Sequence, residues 1–209
     1  MNCLNLFPSG IVAGSLIGAL GAAGAAPLTV VTVNAPAINC VFETDCTVVV
    51  NDSVGNISLS TITGTARLQS RTFPGQPGAP GAGKTAYEYR VDLTQAQAIG
   101  DVACVTDLTV DFGPVSKLQY NAAGPTDDVF VVTKGGLGTI GLAAAEQAGN
   151  LVTFTFSQPV CAADASGPGQ TTFFFGLAST GAPQATVAGI GVPGLEDPVK
   201  VRARAPTHR

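Results

Sequence analysis

Apolar and polar residues alternate along much of this chain with a period of two, the pattern of β-strands that bury one face. In residues 104–112, every second side chain starting at Cys104 is predicted to face a core. In residues 87–93, two tyrosines, a valine and a leucine alternate with three charged residues. Both segments therefore predict half-buried strands.

The rest of the chain after residue 25 consists of short β-branched or apolar runs separated by turn residues. Further strands are predicted at residues 28–33, 46–50, 57–73, 129–133, 139–144, 151–160, 171–177, 185–192 and 199–205. The apolar positions in residues 57–73 change parity, which predicts a bulge near residues 61–64. Only residues 94–99 have a briefly helical pattern. For residues 26–209 we predict a single all-β domain, a disulfide-stapled antiparallel β-sandwich or jelly roll with almost no helix.

The first 25 residues break the strand pattern and predict a signal peptide. Residues 11–25 form a run of small and apolar residues that ends in Ala23, Gly24 and Ala25. This run is too short to span a bilayer, and its end fits a signal-peptidase site. The first ten residues contain no Lys or Arg, which departs from the usual pattern, and the alternative is a glycine-rich buried helix. We expect export, so that the mature chain is secreted, periplasmic or held at the cell surface.

Charge is sparse along the chain and slightly negative. Charged residues make up 11% of the sequence and the net charge is −4, whereas an average soluble domain has about 25% charged residues. This balance offers no basic surface to nucleic acid. No apolar run after residue 26 reaches the length of a spanning helix, so the mature chain is predicted not to cross a membrane. The abundance of Ala, Gly, Thr and Val resembles the composition of bacterial surface and fimbrial subunits.

Four cysteines follow the predicted leader: Cys40, Cys46, Cys104 and Cys161. An even number in an oxidising compartment indicates two disulfides, for which three connectivities are possible. We favour Cys40–Cys46, which would close a short polar segment, and Cys104–Cys161, which would close a long loop. A zinc site is the alternative, but it requires closely spaced Cys or His pairs that this sequence lacks.

One segment matches the formula of a phosphate-binding loop, G-x-x-x-x-G-K-[ST], from Gly78 to Thr85. A true loop of this kind follows a hydrophobic strand and opens a helix at the lysine. Here the preceding residues are rich in Pro and Gly, and those after Lys84 alternate as a strand. Residues 74–84 are therefore predicted to be a flexible surface loop between two strands, without a nucleotide.

No catalytic constellation emerges from the sequence. The single histidine, His208, lies next to the C-terminus, where a Ser–His–acid triad is not expected. Asp107 and Asp111 share a strand face but would lie roughly 13 Å apart, too far for paired carboxylate chemistry. Calcium is the least implausible ion, since two pairs of acidic residues occupy predicted turns. These pairs are Glu43 with Asp45, and Asp127 with Asp128. We predict neither a cofactor nor a metal.

Two further patterns have structural interpretations. The run Phe173, Phe174 and Phe175 places aromatic residues on both faces of one strand, which is typical of a central strand covered on both sides. Residues 200–204 alternate basic and apolar residues, which fits an edge strand whose charges oppose aggregation.

The leading functional hypothesis is a secreted or cell-surface all-β structural or interaction protein without catalytic activity. Its partner would be a second copy, another surface protein or a glycan. The alternative is an extracellular module of the same fold that binds a carbohydrate or small ligand. Exposure of Tyr87, Tyr89 or Tyr120 beside Asp or Asn would favour this alternative. An extracellular hydrolase would instead require two carboxylates from different strands to meet in a cleft.

Overall fold

The computed structural model describes residues 24–100, 102–121 and 124–208. Residues 1–23, nearly all of the predicted signal peptide, lie outside this part. The described residues contain one short 3-10 helix, Ala37–Val41, and twelve strands. The strands are β1 (Ala26–Pro27), β2 (Val30–Asn34), β3 (Asn51–Ile57), β4 (Ile62–Pro74), β5 (Thr85–Ala98), β6 (Cys104–Asp111), β7 (Val129–Lys134), β8 (Leu142–Ala148), β9 (Leu151–Cys161), β10 (Phe174–Ser179), β11 (Pro183–Gly191) and β12 (Val199–Pro206).

These strands form two six-stranded sheets. Sheet 1 has the order β1-β8-β9-β6-β11-β12, and sheet 2 has the order β2-β7-β10-β5-β4-β3. All neighbouring strands are antiparallel except β2 and β7, which are parallel. The edge strand β12 of sheet 1 contacts the edge strand β3 of sheet 2. The predicted all-β, disulfide-stabilised sandwich is confirmed, with one parallel pair that the sequence did not indicate.

The main core lies between the sheets, and β5 shows how the sequence produces it. Its inward side chains, Tyr87, Tyr89, Val91 and Leu93, are fully buried. They pack with residues of the opposite sheet such as Phe154. Since side chains alternate along a strand, Glu88 and its charged neighbours fall on the outer face of sheet 2.

A second hydrophobic cluster covers part of that outer face. It includes Phe42, Phe73 and Phe174, together with residues of the 3-10 helix. The rings of Phe42 and Phe73 meet edge to face, with centroids 5.2 Å apart. Residues 35–50, which contain the 3-10 helix, are therefore packed onto sheet 2 and form a partial third layer. We call them the covering segment.

The Gly/Pro-rich loop between β4 and β5 is hydrogen-bonded to this covering segment. The Gly81 amide donates to the Val41 carbonyl at 2.7 Å, and the Gln76 amide donates to the Phe42 carbonyl at 2.8 Å. A Cβ at Gly81 would lie 2.8 Å from the Phe42 ring. The loop joins two strands as predicted, but these contacts fasten it to its neighbours instead of leaving it free.

Three local predictions about secondary structure were wrong. Residues 46–50 form no strand, because the apolar side chain of Val48 packs on the second cluster instead of joining a sheet. The bulge lies between Thr65 and Arg67, since residues 58–61 are the turn between β3 and β4. Residues 94–98 continue β5, because pairing with β4 overrides a weak local preference for helix.

Both disulfides have the predicted pairing, Cys40–Cys46 and Cys104–Cys161. The predicted inward orientation of Cys104 was wrong. A bulge between Val105 and Asp107 shifts the alternation, so that Val105 is fully buried and Cys104 only half-buried. Cys104 lies directly opposite Cys161 on β9. This disulfide therefore joins neighbouring strands of sheet 1.

The two structural interpretations made from local patterns agree with the fold. β10 lies inside sheet 2, with Phe175 in the main core and Phe174 in the second cluster. β12 is one of the two edge strands of sheet 1, and Lys200 and Arg202 on it are exposed. In the part of the chain that the structure describes, no helix is long and apolar enough to span a bilayer.

Candidate functional site

A pocket opens on the outer face of sheet 2, where the second cluster ends and the charged side chains begin. Its volume is about 370 Å³, within the range of small-ligand sites. The loop before β3, the 3-10 helix and the turn after β7 form its rim. Its apolar wall includes Ile38, Val48, Val50, Val132 and Leu137. We call this cavity the outer-face pocket.

Strand register brings a carboxyl and a guanidinium into this pocket. Glu88 on β5 lies directly opposite Arg71 on β4, and both line the cavity. On its other side, Glu88 lies opposite Gly176 of β10. A Cβ at Gly176 would lie 2.8 Å from the Phe130 ring, so the small residue allows that ring to lie close to the strand.

Glu88 is the most unusual side chain of the pocket. It is only 5% exposed. Among the described residues, its carboxyl has no hydrogen-bond partner and no cation within ion-pair distance. Burial raises the pKa of Glu88 to about 7, against the lowering effect of the Arg71 charge and with a further increase from Asp52. A buried carboxyl without a partner is costly in its ionised form, so this group is suited to receive a donor from outside.

Arg71 is held beside Glu88 by two other contacts. Its Nε donates to Oδ1 of Asp52 at 2.9 Å. Its guanidinium carbon lies 4.1 Å from the centre of the Phe174 ring, a favourable cation–π distance. Arg90 approaches the same ring at 5.2 Å. These contacts hold the Arg71 guanidinium on the aromatic ring and beside Asp52, and it forms no ion pair with the Glu88 carboxyl.

Asp92 lies on β5 like Glu88, but its carboxylate has partners within the protein. Asp92 accepts hydrogen bonds from the amide and hydroxyl of Thr94 and pairs with Arg90 at 3.2 Å and Arg67 at 3.4 Å. Burial alone would raise the pKa of Asp92, but the Thr94 hydrogen bonds and the two arginines together lower it. Asp92 is therefore an internally paired structural group, whereas Glu88, four residues earlier, is not.

A second depression, of about 620 Å³, lies at one end of the sandwich near Leu59, Val102 and Leu195. Within the described part of the chain, its lining contains no charged side chain. Its polar side chains are the hydroxyls of Ser58, Ser60 and Thr61. It offers no charge to a ligand, so the outer-face pocket, which contains Glu88 and Arg71, is the better candidate site.

The residues that sequence reasoning associated with ligands are used elsewhere. Tyr87 and Tyr89 are in the main core, and Tyr120 is buried in the second cluster. Asp128 accepts from the amide and hydroxyl of Thr29 and pairs with Lys117 at 3.2 Å. Oδ2 of Asp128 thus anchors the start of β2.

The remaining candidate residues are also in structural contacts. Glu43 accepts a hydrogen bond from the next amide, and Asp45 from the amide of Thr47. His208 lies 3.1 Å from Asp111 at the surface of sheet 1. Lys84 is followed by a strand, not a helix. Within residues 24–100, 102–121 and 124–208, no cluster of three or more His, Cys, Asp or Glu side chains is arranged to hold a metal.

Sequence reasoning missed Glu88 as a site residue. Alternation placed it correctly on the outward face of a half-buried strand, where a solvated side chain is the ordinary expectation. The available signal was weak: an acidic residue in a strand, with the aromatic run 173–175 elsewhere in the chain. The covering segments that bury Glu88 come from residues 35–50 and 135–137.

Comparison of the chain with protein-family models, curated proteins and solved structures finds no match. The class defined by the structure is therefore that of a disulfide-stabilised, all-β sandwich with a pocket on the outer face of one sheet.

Proposed function

We propose that this protein is an exported, non-catalytic binding module that takes a small ligand into the outer-face pocket. The observation that carries the proposal is the Glu88 carboxyl, which is buried at an apolar-walled cavity without a partner among the described residues. Recognition sites commonly combine an apolar wall with a few polar groups that fix orientation. The arrangement of Glu88 and Arg71 beside Ile38 and Val132 has this character.

Binding is better supported than hydrolysis. The other carboxylate that acts electrostatically on Glu88 is Asp52, and Oδ1 of Asp52 accepts from Arg71 and from Gln69 at 3.0 Å. A glycoside hydrolase needs a second carboxyl free to act as base or nucleophile. The carbohydrate version is also less favoured, because sugar sites usually offer an exposed aromatic face, and the three tyrosines are buried.

Export is proposed from the cysteines and the leader pattern. The two disulfides are of the kind that persists in oxidising compartments. The low charge and the predicted signal peptide agree with a secreted, periplasmic or surface-held protein.

A second candidate function is association with a second copy or with another surface protein. Apolar side chains are exposed close to the pocket, among them Val49, which is 86% exposed, and Leu137. Such side chains favour contact with another surface. Sizing chromatography across a range of concentrations tests this function: a dimer that dissociates on dilution supports it, and a monomer at every concentration contradicts self-association.

The ligand-binding proposal is tested by NMR with the labelled mature chain and three six-carbon probes: hexylamine, 1-hexanol and hexanoate. We expect at least one probe to shift amide signals around Glu88, Val132 and Leu137 in a saturable manner. If none of the probes shifts these signals, the outer-face pocket is not a ligand site of this kind.

A blocking variant provides the control. Val50→Trp places a large ring at the pocket wall and should abolish the saturable shifts. Val187→Trp introduces the same ring at an exposed position of β11, away from the pocket, and should leave them unchanged. Equal binding by both variants would contradict the assignment to this pocket.

A further inference from the structure

The electrostatic environment of the outer-face pocket specifies the kind of ligand, an inference that rests on the binding function proposed above. Among the residues that the structure describes, Glu88 is the only acidic side chain that lines the cavity, and Arg71 is the only basic one. The Arg71 charge is already paired with Asp52 at 2.9 Å. An ionised Glu88 therefore leaves the pocket with an uncompensated negative charge.

The charged groups of the other packed elements do not alter this balance. Lys134 ends β7 and is exposed, while Glu43 and Asp45 lie in the covering segment and interact with their own backbone. On β5 itself, Arg90 pairs with Asp92. β10 has no charged residue. Among the described residues, Glu88 is thus left without a cation of its own.

The apolar part of the pocket restricts the ligand further. Ile38, Val48 and Val132 line the same cavity as Glu88 and give it an apolar wall. An alkyl or aryl body would replace water along this wall, while a polar head group would reach Glu88. An anionic head group would be repelled by the carboxylate, and a neutral hydroxyl would leave the charge uncompensated.

We propose that the natural ligand is an amphiphilic primary amine, whose ammonium group binds the Glu88 carboxylate while its apolar body lies against Ile38, Val48, Val50 and Val132. The ammonium supplies up to three donors and a full positive charge. The Arg71 guanidinium, fixed on Phe174, borders the site and disfavours amines with a second charge next to the first.

The probe series distinguishes this inference from the binding function on which it rests. At about pH 8, hexylamine should bind at least about tenfold more tightly than 1-hexanol, with hexanoate weakest. If 1-hexanol shifts the pocket signals with the same affinity as hexylamine, the pocket remains a ligand site but the amine assignment is wrong.

The pH dependence of hexylamine affinity tests the proposal without a variant. An alkylammonium keeps its proton across this range, as a lysine with a pKa of about 10.4 does. Only the ionised fraction of Glu88 is competent to bind it, so affinity for hexylamine should fall by up to about 30-fold between about pH 8 and about pH 5.5. The affinity of 1-hexanol should change little. A hexylamine affinity that is independent of pH would overturn the proposal.

A charge variant and its matched control complete the test. Glu88→Gln keeps the shape of the side chain and should remove the preference for amine over alcohol. Glu146→Gln removes the same charge from an exposed position of β8 and should retain the preference in full. Retention of the preference by Glu88→Gln, or its loss in Glu146→Gln, would show that general attraction of the cation to an acidic protein is responsible.

Discussion

The phenol of Tyr89 on β5 donates a hydrogen bond of 2.7 Å to the backbone carbonyl of Arg204 on β12 and so joins one sheet to the other. Tyr87 makes an equivalent bond of 2.8 Å to the carbonyl of Gly181. Burial, with a smaller effect of the Tyr87 phenol, raises the pKa of Tyr89 well above its ordinary value. The Tyr89 hydroxyl therefore stays protonated and acts as a donor.

Loss of the Tyr89 hydroxyl should weaken the sandwich. Tyr89→Phe keeps the ring in the core but leaves the Arg204 carbonyl without its donor, which should lower the free energy of unfolding by about 1–3 kcal/mol. Urea denaturation measures this change. The control is Thr155→Val, at an exposed position of β9, which should stay within about 0.5 kcal/mol. Equal stability of Tyr89→Phe and the native chain would mean that the bond is not formed in solution.

The two disulfides should differ in their contributions to stability. Replacing Cys104 and Cys161 together by alanine removes a link between residues 57 positions apart, at a cost of about 4 kcal/mol on the chain-entropy model. The Cys40–Cys46 link spans only six positions, and its loss should cost about 2 kcal/mol.

Thermal or urea unfolding of the two double variants gives the comparison. Mass spectrometry of the unreduced and reduced native chain should first show that reduction adds four hydrogens. A larger loss of stability from the Cys40–Cys46 replacement than from the Cys104–Cys161 replacement would contradict this ranking.

Stability should depend on pH through Glu88. The raised pKa means that the folded chain holds a proton that the unfolded chain releases at about pH 4.5. Folding stability therefore falls as the pH rises from about 4.5 to about 7, by about 3 kcal/mol in total, and is then constant with respect to this group. Asp92 and Asp128, whose pKa values are lowered by their partners, act in the opposite sense and only at lower pH.

Comparison with Glu88→Gln isolates this contribution. Urea unfolding of the native chain and of the variant between about pH 4.5 and about pH 8 should show a slope that the variant lacks. A native chain that gains stability across this interval relative to the variant would mean that Glu88 is paired in solution.

The packing of the Gly/Pro-rich loop on the covering segment should be weakened by a methyl group added at Gly81. Gly81→Ala would place a Cβ 2.8 Å from the Phe42 ring and 2.9 Å from the Val41 carbonyl. We expect the free energy of unfolding to fall by about 1–3 kcal/mol, together with faster amide hydrogen exchange in residues 75–84. Gly167→Ala is the control, because no atom of the described residues lies within 4 Å of the Cβ it would add. A neutral Gly81→Ala would contradict the close packing of loop and covering segment.

The fold class was predictable because it depends on local periodicity. Alternation in residues 87–93 placed each side chain of that part of β5 on the correct face, and the charges of residues 200–204 marked an edge strand. The errors arose where partners outside the local sequence decide the outcome. A bulge in β6 exchanged the faces on which Cys104 and Val105 lie. Pairing with β4 extended β5 through residues 94–98, which have a helical pattern.

The candidate site was much less predictable. The outward position of Glu88 follows from alternation, but its burial depends on the 3-10 helix, the segment around Val48 and the turn at Leu137. These lie some 40 to 50 positions away along the chain, and no local pattern reports that they converge. The three tyrosines were considered as binding residues, but they are buried. Tyr87 and Tyr89 pack between the sheets, and Tyr120 packs in the second cluster.

The titration of the Glu88 carboxyl tests the central claim most directly. In a chain labelled with ¹³C at the glutamate carboxyls, the Glu88 signal is the one that Glu88→Gln removes. We expect a midpoint at about pH 7, which moves to lower pH when hexylamine saturates the pocket. A midpoint near the ordinary 4.5 that hexylamine leaves unchanged would contradict the claim.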